Sequence, residues 1–389
     1  KYLQFYYPEM LTLYGGTAED YKILTGSELS PTTGFSVYDV PVDSIVPYGN
    51  GWVYYVDKVI EPHQNLDDWL MSASDYTMYC DMYNRFNIFT VDPSVNEGIP
   101  RNIPSKRTNL YKNERNYRVD MELNYETVGV RQRVSDGTIQ VNAHSNYSIL
   151  VPQNNALESF IDNTFTNYPG FRDSLFVISP SLDNVHIKMI VRAIVSPSMF
   201  IKQIVFPSQL YAGTVSGSDG TIYQLGPEDF SEYNLCSNGY AYGLKTFTVP
   251  RNFQSILKPV YTTPDFKFMT AAVDRLEINY YLNNMNASYT LFLPTDEAFL
   301  KNNIHLLAYE DAVVNWGLSV DNRLGYNDYV FYNADTSGGN VPDFIAPIDL
   351  FELVFNHLFV SPITLSSQMQ FLLNAPAKYV GITQDSIWS

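Results

Sequence analysis

The side chains able to do chemistry are few, and their spacing is poor. Five histidines, His63, His144, His186, His305 and His357, are scattered along the chain. No two stand four apart or in an H-E-x-x-H arrangement, so a protease-type zinc site finds no support. Cys80 and Cys236 have no histidine near them in sequence. They read as small buried hydrophobes, with a disulfide inside one domain and a nucleophile as the alternatives. Asp296 and Glu297 form an acid pair at the head of an amphipathic stretch. There, acids complement the helix dipole and its orphan amides without any catalysis. The SGSDG run at 216–220 lacks a following G-K-[ST] to cradle phosphate, and DTSGGN at 335–340 reads as a loop rather than a calcium site. The expectation is a chain with no catalytic residues, no metal and no cofactor.

One charge cluster stands out. Arg101, Lys106, Arg107, Lys112, Arg115, Arg118, Arg131 and Arg133 fall within 92–146, with Tyr111 and Tyr117 among them. The bland reading is a solvated hairpin. The functional reading is a docking surface for an acidic partner, because Tyr and Arg are enriched at interface hot spots. The candidate partner-binding set is Arg101, Lys106, Arg107, Tyr111, Arg115, Tyr117 and Arg118.

Composition narrows the class further. The 24 Lys and Arg stand against 41 Asp and Glu, a formal net charge of −17 that argues against nucleic acid as a partner. It also disfavours docking on anionic lipid. No apolar run reaches the roughly 18–20 residues that cross a bilayer. With 31 Tyr, 23 Phe and only 17% charged residues, the surface is hydrated by amides and hydroxyls more than by ions, which points outside the cytoplasm. The chain opens KYLQFYYPEM with no initiator Met and no basic-then-apolar leader, the look of a processed or partly observed chain.

Two recurrences organise the sequence. YSILVP at 147–152 is followed by QNNALESFI, and YTLFLP at 289–294 by TDEAFLKNN. Each reads as a buried strand that stops at proline, then a helix start with Asn154 or Asn155, and Thr295 or Asp296, as candidate caps. The second recurrence pairs NGWVYYVDKVIEP at 50–62 with NGYAYGLKTFTVP at 238–250. Asn-Gly marks a tight turn, and the run that follows alternates like a terminal strand. A helix-like opening follows each, from Asn65 and from Asn252. Repeats of this size place domain boundaries near Pro62 and Pro250.

These residues resemble the fasciclin (FAS1) family. Thr290-Leu-Phe-Leu-Pro-Thr-Asp-Glu-Ala-Phe299 is similar to its first signature, through Thr290, Phe292, Pro294, Thr295, Asp296 and Phe299. Asn50, Gly51, Asp57 and Pro62 match its closing signature, Asn238 and Gly239 begin a second copy of it, and His357 matches its His element. The resemblance implies structural roles for all of these residues. It also implies α+β architecture in tandem units, each a small twisted sheet pair with helices along one edge. Residues 1–62 would be the closing part of one unit, and 63–250 a whole unit with an insertion near 92–146. Residues 251–389 would be a unit lacking its closing strand. In the middle unit, Arg192-Ala193 stands where the His element is expected.

The functional expectation is a non-enzymatic adhesion or protein-interaction module, extracellular or at a cell surface. The alternative is an accessory lipoprotein of an outer-membrane importer for glycans or peptides, lipid-anchored to a bacterial outer membrane. Three Asp-Ser-apolar triplets, at Asp43, Asp173 and Asp385, resemble a bacterial O-glycosylation pattern on exported proteins. The expected partner is a protein at the cell surface, an outer-membrane complex among the candidates, with a glycan as a further possibility.

Overall fold

The computed structural model describes residues 4–61, 63–84, 87–91, 111–115, 131–133, 139–141, 147–175, 182–200, 203–276, 278–308, 329–333, 343–345 and 347–359. The chain is a mixed α and β protein with small sheets. Its strands are β1 (Phe5–Tyr6), β2 (Ser36–Val37), β3 (Val40–Tyr48), β4 (Gly51–Val56), β5 (Asn87–Val91), β6 (Tyr111–Arg115), β7 (Arg131–Arg133), β8 (Ile139–Val141), β9 (Tyr147–Pro152) and β10 (Met199–Phe200). They continue as β11 (Val215–Ser216), β12 (Ile222–Tyr223), β13 (Phe230–Cys236), β14 (Gly239–Leu244), β15 (Thr290–Leu291), β16 (Ile304–Ala308), β17 (Tyr329–Asn333), β18 (Asp343–Phe344) and β19 (Leu358–Phe359). Two compact units result: residues 1–158, 198–217 and 222–248 form the first, and 159–197, 218–221 and 249–389 the second.

The first unit holds two four-stranded sheets, ordered β1-β2-β3-β4 and β10-β9-β14-β13. Within the second sheet, the two sequence recurrences of the middle segment meet. β14 runs parallel to β9, with Gly239 opposite Tyr147 and Leu244 opposite Pro152. Both strands are buried along their whole length. A strand buried on both faces needs a largely apolar run, which YSILVP and GYAYGL supply; the one hydroxyl among the buried small residues, Ser148, donates to the carbonyl of Gln203 at 3.1 Å.

The hairpin β3–β4 repeats the hairpin β13–β14 residue for residue. Gly51 faces Tyr48 as Gly239 faces Cys236, and each pairing slips by one residue, at Asp43 and at Ser231. Aromatic side chains from both hairpins' segments fill one core. Tyr6, Tyr21, Tyr240, Tyr242, Phe206 and Phe230 lie in it, all buried. Residues 5–56 and 199–244 therefore share apolar burial within one compact unit.

The second unit repeats part of the same plan. β15 pairs antiparallel with β19, Leu291 opposite Leu358, as β9 pairs with β10, Ile149 opposite Met199. By this register, Ser198 occupies the place of His357. The sequence expectation that Arg192-Ala193 takes that place is corrected, because Arg192 lies six residues before Ser198, inside the helix Leu182–Val195. Another correction concerns the apolar run before Pro294. β15 spans only Thr290 and Leu291, and Phe292 is 43% exposed, whereas its equivalent Leu150 is fully buried. Phe299 supplies the core aromatic instead, at 4% exposure and 5.1 Å from the ring of Phe268.

Candidate functional site

In the first unit, the strand β4 is exposed. β4 is the last strand of its sheet, with no strand beyond it among the described residues. Gly51, Trp52, Val53, Tyr54 and Tyr55 are all exposed, so side chains on both faces of the strand meet solvent. Trp52 is 64% exposed where its equivalent Tyr240 is 1% exposed. Large exposed hydrophobics on an edge strand are what folded proteins ordinarily avoid, since unpaired N–H and C=O groups invite another chain.

Beside β4 lies a groove of about 360 Å³, lined by Phe5, Tyr7, Phe35, Tyr54, Val56 and Ile60 together with Val37. Strand alternation puts Trp52, Tyr54 and Val56 on one face, and Tyr54 forms one wall. Phe35 is the hub of the wall. Its ring stacks on Tyr7 at 5.7 Å and lies 5.6 Å from both Phe5 and Tyr54. Such pairs add about 0.5–1.5 kcal/mol beyond burial and hold the rings in fixed orientations. The groove is thus a preformed apolar surface.

The sheet beneath is pinned by a buried hydroxyl pair: the phenol oxygens of Tyr6 and Tyr240 are 3.0 Å apart. Burial pushes both phenols well above the ordinary tyrosine range, so both stay neutral. Cys80 and Cys236 are free thiols, both buried. Burial pushes the Cys80 thiol up to about 11 and raises Cys236 further, which makes neither a nucleophile at neutral pH.

The sequence-predicted positions fall in several places. Asn50 is in the exposed turn before β4, Gly51 begins the strand, and Asp57 follows it on the surface. Pro62 lies outside the described residues. Asn238 is buried, and its Oδ1 accepts from the amide of Leu66 at 2.9 Å. Gly239 has φ of +151°, and a Cβ there would collide with the backbone of Tyr147.

In the second unit, the amide of Phe292 donates to the carbonyl of His357 at 2.8 Å. The His357 Nδ1 is 2.8 Å from the Leu353 carbonyl one turn back, so this ring closes a helix end. Thr295 stands at the N-cap of the helix Asp296–Lys301, but its side chain caps nothing. The acid pair was expected to serve that helix's own amides. Asp296 instead accepts from the amide of Phe268 at 3.0 Å, near the start of the neighbouring helix Lys267–Arg275. Asn154 makes the same bond to Met78 at 2.9 Å, near the start of the helix Thr77–Asn84. The bond thus recurs in both units and crosses between helices.

Among the basic candidates, Tyr111 and Arg115 bound β6, which pairs antiparallel with β5. Arg101, Lys106, Arg107, Tyr117 and Arg118 lie outside the described residues. The groove and β4 were not foreseen as a site. The signal was present in the run Trp52-Val-Tyr-Tyr55, where four consecutive large residues break the alternation of a half-buried strand.

No protein-family model matches the chain, and no curated protein does. Among solved structures, a FAS1 domain pair from the insect cell adhesion molecule Fasciclin I is similar at 14% identity, over 52% of this chain and 73% of that one, with a TM-score of 0.18. No helix among the described residues is long and apolar enough to cross a membrane.

Proposed function

We propose that this chain is a non-enzymatic protein-interaction module, working outside the cytoplasm or at a cell surface, that holds a protein partner on β4 and the groove beside it. One observation carries the reading: the large side chains of β4 from Trp52 to Tyr55 are exposed and line an apolar groove, with no strand beyond β4 among the described residues, whereas β14, its counterpart in the same unit, is buried between two strands. Main-chain groups along such an edge supply affinity, and the aromatic groove supplies specificity. The scarcity of charged residues and the abundance of Tyr, Ser and Asn support an extracytoplasmic setting.

Photo-cross-linking tests it. A benzophenone side chain replaces Tyr54 in the intact chain, and in a control replaces the exposed Leu13. Both are exposed to surface proteins of the native host. The expected result is a discrete cross-linked protein at position 54 only, displaced by excess wild-type chain and not by the Trp52→Ser variant. Identical products from the two positions, or none, would overturn the reading.

A further inference from the structure

Away from β4, two sulfur atoms meet in the first unit. Cys80 lies on the helix Thr77–Asn84 and Met71 on the helix Leu66–Ser72, and the Cys80 Sγ stands 3.2 Å from the Met71 Sδ. Nine residues separate the two in sequence, so it is the pairing of these helices that brings them together. Asn84, one turn after Cys80 on the same helix face, sets its Nδ2 3.4 Å from the methionine sulfur and 3.5 Å from the cysteine sulfur. Tyr79, Met82 and Tyr83 of that helix are buried and fix it in the core, which holds the thiol in place. Met71 is 58% exposed against 7% for Cys80, so a solute reaches the pair through the thioether. A thiol is a weak donor and a thioether a weak acceptor. Their hydrogen bond alone gives little reason to leave a large apolar side chain in water.

The donor set selects the ligand. Among the described residues, no group of three or more His, Cys, Asp or Glu side chains could hold a metal ion, so ions that need three or four such ligands find no site there. Thiolate and thioether are soft donors that prefer Cu(I)-type ions, and such ions are content with two. Burial, with the negative charges of Asp81 and Asp67 behind it, holds the Cys80 thiol up at about 11. Those same charges favour a cation beside the sulfur.

We propose that Cys80 and Met71 form a two-sulfur site for one soft monovalent cation, of the Cu(I) and Ag(I) class. On binding, the Cys80 S–H bond breaks and a sulfur–metal bond forms, and the proton leaves to water. Met71 adds a lone pair, and no electron changes hands. Metal–sulfur bonds of about 2.3 Å would set the sulfurs up to about 4.6 Å apart. The exposed, unbranched Met71 side chain makes that adjustment by rotating about its own bonds.

The test titrates silver nitrate into the intact chain by calorimetry at pH 7 in chloride-free buffer. One ion per chain is expected, because Cys236, the other thiol, is fully buried. One proton should be released per ion, read from buffers of different ionisation enthalpy. Met71→Leu keeps the size and apolar character of an exposed side chain and should melt like wild type, yet bind silver about tenfold or more weakly. Cys80→Ser should abolish binding; should it not fold, Met71→Leu and the proton count carry the test. Cu(I), supplied without oxygen, should compete for the same equivalent, and excess Zn(II) should not.

No saturable binding, equal affinity in Met71→Leu, or silver retained by folded Cys80→Ser would overturn the proposal. Binding without proton release would remove the thiolate from the site, and displacement by Zn(II) would show that the site is not a soft one; either result would overturn it as well.

Discussion

The carbonyl oxygen of Tyr147 stands where a Cβ on Gly239 would have to sit, so the parallel pair of β9 and β14 admits only glycine at that point. The backbone there, at φ of +151°, makes the same demand independently. Gly51 is under neither constraint.

Gly239→Ala should therefore cost at least about 2 kcal/mol, from overpacking against the backbone and from strain. Gly51→Ala should stay within about 0.5 kcal/mol of wild type, as surface substitutions do. Urea unfolding of the two variants checks the contrast. Equal losses would show that Gly51 is under the same constraint as Gly239.

Much of the plan was legible where residue type and spacing obey a single demand. The proline after the apolar run, the Asn-Gly turn and the helix start are local signals, and the structure places β9, β14 and the helix Asn154–Thr164 at them, with only the two-residue β15 before Pro294. The parallel meeting of β9 with β14 was not legible, because strand partnership joins segments far apart in sequence. Phe292 misled for a related reason. Its apolar neighbours predict burial, yet burial depends on what lies across from it. Nor did the candidate site emerge, since it depends on which strand lacks a neighbour.

Phe292 and Phe299 give the second expected outcome. Phe299, 4% exposed and ring to ring with Phe268, should lose about 3–5 kcal/mol on truncation to alanine. Phe292, 43% exposed, should lose about 1 kcal/mol. Thermal melts of both single variants decide between them. A larger shift for Phe292→Ala would restore the four-residue buried strand read from the sequence.

Asp296 links stability to pH. Burial holds its carboxyl above the ordinary 3.8, and the Phe268 amide offsets this only in part. A raised carboxyl binds its proton more tightly in the folded chain than in the unfolded one. Its contribution to stability is therefore present below the unfolded value and is lost as pH rises through the folded one. Asp296→Asn should keep the bond to the Phe268 amide, as Asn154 keeps the one to Met78, without that loss. The variant should gain on wild type as pH is raised from about 3.5 through the carboxylate range, and the gain should then level off. Asp296→Ala should fall below both by about 1 kcal/mol for the lost cap. Denaturation of the three proteins across that pH range is the measurement. An Asn variant that loses ground as pH rises would contradict the sign.

Arg192 and Asp274 provide the last. The guanidinium on the helix Leu182–Val195 pairs directly with the carboxylate on the helix Lys267–Arg275, both side chains being only 14% exposed. A pair withdrawn this far from water gains little over an apolar pair of the same size, because each ion gives up its hydration. Breaking one side is another matter, for it strands a charge in the space the partner had filled. Arg192→Met should cost about 3 kcal/mol by removing the guanidinium that pairs with the Asp274 carboxylate. Adding Asp274→Leu should recover most of that loss, since the carboxylate that lost its guanidinium is then gone. Tyr261 offers an independent reading of the same event: burial has pushed its phenol up to about 12, against the pull of Arg192, so loss of the arginine should move it higher still. Urea unfolding of the single and double variants, with ultraviolet titration of the tyrosines, decides the matter. A double variant no more stable than the single would mean that Arg192 is needed for its packing and not for its charge.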